Sequence, residues 1–204
     1  MCRWLILATS LLALPLHGEE RTFDMTVDGK VAGTMTIDYQ LRDGTTSATV
    51  RTDRASQPAF DYRGTESWKE GRLVRLEGAG IDGPHKGSVS LVAGKDAYRL
   101  KAGVKEVRVR DDVWPTTGVM PPDPDRKPLV VDAITGDVFH AKVEKVGADR
   151  VVVRDKPIPT THYRVIAGGN RWDVWYDANQ RLAKQAWTRD GRTMVAELTG
   201  IKAD

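Results

Sequence analysis

Trp172-Asp173-Val174-Trp175-Tyr176-Asp177-Ala178-Asn179-Gln180-Arg181-Leu182-Ala183-Lys184-Gln185-Ala186-Trp187 reads as two short strands joined by a polar turn. Asp177, Asn179 and Gln180 fall in the turn, where such side chains bond nearby backbone. Successive strand residues face opposite sides. Trp172, Val174 and Tyr176 therefore share one face, and Asp173, Trp175 and Asp177 share the other. The first set carries no charge and is the expected core face. A second hairpin follows, turning at Arg189-Asp190-Gly191-Arg192. Two consecutive hairpins at the C-terminus look like the closing element of a β-sheet.

The same alternation runs back to the start of the chain. Phe23, Met25 and Val27 face one way, and Asp28-Gly29 is a hairpin signal. Val31, Gly33, Met35, Ile37, Tyr39 and Leu41 then alternate with polar residues or alanine, the pattern of a strand with one buried face. Thr45–Asp53 is rich in Thr and Ser, which suits an edge or the wall of a polar cavity. Phe60, Tyr62, Gly64, Glu66 and Trp68 share a face, so Glu66 is expected at a rim or beside an arginine. Turn signals recur roughly every eight to twelve residues, as in an all-β meander. Gly147-Ala148-Asp149 reads as one of these turns, and strand pattern resumes at His162 after Pro157 and Pro159.

Pro115, Pro121, Pro122, Pro124 and Pro128 interrupt the meander. They exclude helix interior and central strand from residues 114–128. Trp114 and Met120 are placed to pin this stretch as a crossing loop within one domain. The fold expected is all-β: a single curved antiparallel sheet of roughly ten to thirteen strands, bent into an open or nearly closed barrel. A flat open sheet rarely holds more than about ten strands.

Residues 1–18 have the layout of an export signal: a basic start, an apolar run broken at Pro15, and a small residue, Gly18. The apolar run is shorter than the ~20 residues of a spanning helix. A single domain over residues 19–204 and a periplasmic address are expected. The one cysteine, Cys2, lies inside the signal, so thiol chemistry is not expected of the mature chain. The net charge of +3 is spread without a basic block, which speaks against nucleic acid.

His85, His140 and His162 lack metal-ligand spacing, and no nucleophile elbow or phosphate loop occurs. No metal, cofactor or catalytic residue is assigned. What remains is a set of aromatics on strands and near turns. Of these, Tyr62, Trp68, Trp114, Trp172 and Trp175 are the candidates to line a ligand cavity. The function expected is non-catalytic binding of an apolar or lipid-like ligand by a monomer. The alternatives are a structural or interaction protein of the cell envelope and a hydrolase with an unrecognised site.

Four stretches carry a resemblance: Phe23–Thr34, Tyr62–Leu73, Leu129–Val138 and Asp173–Asp177. With them the chain resembles a family of exported, uncharacterised bacterial β-rich proteins known only as a domain of unknown function. The resemblance implies no activity and no site residues. Its general look is similar to periplasmic lipoprotein carriers, which are half-barrels with apolar interiors. The lid helices of those carriers have no counterpart in this sequence.

Overall fold

A computed structural model describes residues 17–54, 60–189 and 191–203. Most of the expected export signal, Cys2 included, lies outside them. The strands are β1 (His17–Val27), β2 (Lys30–Arg42), β3 (Thr45–Arg54), β4 (Phe60–Lys69), β5 (Arg72–Asp82), β6 (His85–Ala93), β7 (Tyr98–Ala102) and β8 (Lys105–Val109). They continue as β9 (Val113–Pro115), β10 (Leu129–Val131), β11 (Val138–Val153), β12 (Lys156–Ala167), β13 (Asn170–Tyr176), β14 (Leu182–Arg189) and β15 (Arg192–Ala203). All fifteen belong to one sheet, ordered β8-β7-β6-β5-β4-β3-β2-β1-β15-β14-β13-β12-β11-β10-β9.

The chain meanders away from β1 to β8, restarts at β9, and returns to pair β15 with β1. All pairs are antiparallel except β9 with β10. The two free edges, β8 and β9, are neighbours in sequence, and the sheet curls without closing. The fold is therefore the expected all-β, barrel-like sheet. It exceeds the expected strand count partly because three-residue β9 and β10 flank the proline-rich loop.

Alternation decides the inner face. On β2, Gly33, Met35, Ile37 and Tyr39 are buried. Val31, expected with them, is 71% exposed. The reason is a bulge: Met25 pairs with Gly33 but Thr26 with Val31, so Ala32 is extra and Val31 is turned outward. Strand β3 lies between β2 and β4, away from either edge, and directs Ala48, Val50 and Thr52 inward.

The proline-rich loop is drawn into the sheet's concave side. Trp114 and Val119 are each 1% exposed. Trp114 Nε1 donates to Met120 O at 2.8 Å, tying the loop to itself. Tyr39 donates to Val119 O at 3.1 Å, and the Tyr176 hydroxyl lies 2.7 Å from Gly118 O and 2.9 Å from Met120 O. Buried loop carbonyls need such partners, and three aromatic side chains supply them. The segment from β9 to β10, with the following turn at 132–137, acts as an internal plug.

The expected turn at Gly147 is not one. Strand β11 runs on to Val153, with a register shift between Lys145 and Gly147. The turn falls at Arg154 and Asp155, both with positive φ. Pro157 and Pro159 lie within β12, paired with β11. They are tolerated because β13 pairs with β12 only from Thr161 onward, so the prolines lie on a free edge. This two-stranded ribbon reaches β15, where Arg154 Nε donates to Thr199 O at 3.2 Å.

Candidate functional site

A meander places alternate turns at the same end of the sheet. One end collects the C-terminal ends of β1, β3, β5, β7, β10, β12 and β14. Between this end and the plug lies a cleft of about 90 Å³. Phe60, Trp172, Trp187 and Phe139 give it an aromatic wall, and Asp82, Asp132 and Arg189 a charged floor. Phe60 and Trp187 touch with ring centroids 5.9 Å apart.

Each floor group is placed by its element. Asp82 ends β5 and Arg189 ends β14, so both sit at this rim. Asp132 opens the plug's turn, where its Oδ1 accepts the backbone N–H of Ile134 and of Thr135, both at 2.9 Å. Its Oδ2 is left for Arg189 Nη1 at 3.2 Å, and the same Nη1 donates to Asp82 Oδ2 at 2.8 Å. One guanidinium thus serves two buried carboxylates on different parts of the fold. Burial pushes the Asp82 carboxyl up, against the pull of Arg189. Gln185 closes the inner wall by donating to Thr116 O at 2.9 Å.

Tyr62 lines the same cleft. Its ring lies over Gly64 and Gly78, a cross-strand pair whose missing side chains leave the space. Its hydroxyl is buried with no hydrogen-bond partner among the described residues, and burial pushes its pKa up. The Tyr62 backbone N–H donates to Thr52 Oγ1 at 2.7 Å.

Glu66 is fully buried, neither at a rim nor beside an arginine. Trp68 Nε1 donates to its Oε2 at 2.9 Å, and Thr117 of the plug donates to Oε1. Burial pushes its pKa up to about 7, against the two hydrogen bonds. An alternating pattern marks Glu66 as inward-facing, but only the plug's path shows what meets it.

A family model described as a domain of unknown function (DUF6134) matches residues 23–199. The chain belongs to that family. No match was found among curated proteins. Among solved structures, the chain is similar to a β-barrel-like protein of domain of unknown function DUF1849 from Brucella abortus. That match has a TM-score of 0.59 and 12% identity, over 94% of this chain and 99% of the other. At that identity the likeness concerns the fold alone. A structure of PNGF-II matches with a TM-score of 0.39 and 10% identity, over 92% of this chain and 28% of the other.

In this DUF6134 member, the five expected cavity residues go to three places. Tyr62 and Trp172 meet in the cleft. Trp68 and Trp114 lie toward the opposite end, around a smaller hollow with Pro121 and Pro122. Trp175 is on the outer face, stacked on His162 with centroids 4.3 Å apart and planes 8° from parallel. Its Nε1 donates to Asp149 Oδ2 at 2.8 Å. Sequence reading did not assign Asp82, Asp132 or Arg189: Asp82 and Arg189 lie in turn signals, and Asp132 ends a strand as one of several scattered carboxylates. The parity of the turns was the available clue.

His162 Nε2 is 2.8 Å from Asp173 Oδ1. The same carboxylate accepts from Arg164 Nε at 3.0 Å and from Arg171 Nε. Burial raises the Asp173 pKa, but the bonds from Arg171 and His162 outweigh it and hold the group below the usual range. A carboxylate divided among three basic side chains is an ion-pair cluster rather than the orienting member of a catalytic pair.

Proposed function

We propose that this protein is an exported, periplasmic, non-catalytic binding protein for a small, largely apolar ligand held at the mouth cleft. The observation that carries this reading is the cleft itself, with four aromatic side chains above a buried ion-paired floor. Binding sites are commonly concave and mostly apolar, with a few convergent polar groups. The sequence reading of residues 1–18 supports the address. The size of the cleft narrows the ligand. The cleft holds about 90 Å³. A headgroup or one ring fits there while the plug holds its place; a whole acyl chain needs the plug displaced.

Native mass spectrometry of protein gently released from cells tests this reading. A small molecule carried by the wild type and lost from Trp187→Ala is the expected result. A carried molecule that Trp187→Ala and Trp172→Ala both retain would place the site elsewhere.

A second reading, an envelope interaction protein, has its own observation. A groove of about 540 Å³ runs between the free edge of β8 and the start of β11. Residues of both faces line it, among them Val107, Arg108, Val109, Val138, Phe139 and His140. Such edge grooves accept added strands. Retention of a protein partner, with no small molecule carried, would favour this reading over the first.

A further inference from the structure

We infer that the group seated on the floor of the mouth cleft is an organic cation of the alkylammonium class. This deepens the proposed binding role and rests on it.

The charges in the cleft do not balance. Its lining holds three carboxylates, Asp82, Asp132 and Asp137, and one guanidinium, Arg189. Arg192 and His85 act on Asp82 from beyond the lining, both favouring its charged form. Within the lining itself, carboxylates outnumber guanidiniums three to one. Arg189 cannot serve both buried carboxylates fully, because its Nη1 is shared between them. Burial pushes the Asp82 carboxyl up despite the guanidinium. Asp82 Oδ2 holds the arginine, while Oδ1 has no hydrogen-bond partner among the described residues.

The walls suit a cation as well as the floor does. Aromatic faces attract ammonium and guanidinium groups through the ring quadrupole, and tryptophan does so best. Trp172, Trp187 and Phe60 stand around the same space as the unmatched carboxylate. A neutral apolar ligand would use the rings and leave the charge unanswered. An anion would be repelled by the surplus carboxylate. An alkylammonium meets both, its carbons against the rings and its charge toward Asp82.

The test titrates the purified protein with choline and with 3,3-dimethylbutan-1-ol, its neutral carbon isostere, following tryptophan fluorescence. The expected result is that choline binds at least tenfold more tightly. The preference should fall severalfold in Asp82→Asn, and also in Asp137→Asn, an exposed change that leaves the floor's ion pairs in place. Equal binding of the two probes would overturn the cation while leaving the cleft as an apolar site. The cation also falls if neither probe binds but the wild type carries a neutral molecule that Trp187→Ala loses. If neither probe binds and nothing is carried, the cation and the binding reading fall together.

Discussion

At the scale of single residues, burial without charge compensation is the theme, and Glu66 shows it most plainly. Its pKa in the folded chain is about 7, against roughly 4.3 when exposed. A raised carboxylate pKa means that folding disfavours the charged form. Below about pH 4 the group is protonated in both states and carries no penalty. As pH rises from there through 7, the unfolded chain ionises freely and the folded chain resists, so stability is lost. Glu66→Gln keeps the shape, accepts from Trp68 Nε1 and donates to Thr117. We expect it to stabilise the protein at pH 8 by roughly 1–3 kcal/mol and to change little at pH 4. Urea melts at the two pH values check this, and an equal effect at both would refute it. Tyr176 and Trp175 form the second residue-scale contrast. Tyr176 is buried and holds two plug carbonyls, whereas Trp175 is half-buried on the outer face. Tyr176→Ala is expected to cost ~3 kcal/mol or more, as loss of a buried aromatic does. Trp175→Ala should cost about 1 kcal/mol, mainly its stacking on His162. Melts with matched m-values decide between them. A larger loss for Trp175→Ala would mean that the outer ribbon matters more than the plug.

At the scale of elements, the plug and the sheet are fitted to each other by missing side chains. Ile134 packs against β5 and β6 where they present Gly80 and Gly87. A Cβ on Gly87 would stand 2.3 Å from Ile134 O, and one on Gly80 would stand 2.5 Å from Asp61 O. Backbone cannot swing aside as a flexible side chain can. Gly87→Ala is therefore expected to destabilise by ~1–3 kcal/mol, the scale of overpacking. Gly200→Ala is the control. Its added Cβ meets Arg154 Nη2 at 3.4 Å, an ordinary contact with a mobile group. The control should stay within about 0.5 kcal/mol of the wild type, as unstrained surface changes do. If Gly87→Ala behaves like the control, the plug is not seated on the sheet as described.

At the scale of the whole molecule, the first and last strands are neighbours. The β1–β15 ladder runs from Glu19 with Ala203 to Val27 with Met194. It joins the two meanders into one sheet, and the plug from the middle of the chain fills the hollow they share. Neither half buries its inner face without the other. Tryptophan fluorescence reports on both halves and far-ultraviolet dichroism on all strands, so their urea transitions should coincide, as in one cooperative unit. A fluorescence transition that precedes the loss of strand signal would show the plug leaving a sheet that survives without it.

The local pattern by itself determined the strands and their buried face. Period-two alternation through Met35, Ile37 and Tyr39, and through Trp172, Val174 and Tyr176, admits only one orientation once one side must leave water. Turn chemistry at Asp28-Gly29 and Asp177–Gln180 set most hairpins for the same local reason. The bulge at Ala32, the unbroken run through Gly147 and the parallel pairing of β9 with β10 depended on neighbouring strands, which no single segment encodes. The site depended on them most. Asp82, Asp132 and Arg189 are far apart in the chain; Asp82 and Arg189 look like turn punctuation and Asp132 like an ordinary strand end. Only the curl of the sheet and the path of the plug bring them under one aromatic wall. Side-chain period is a property of each strand, whereas the meeting of distant strand ends is a property of the whole path of the chain.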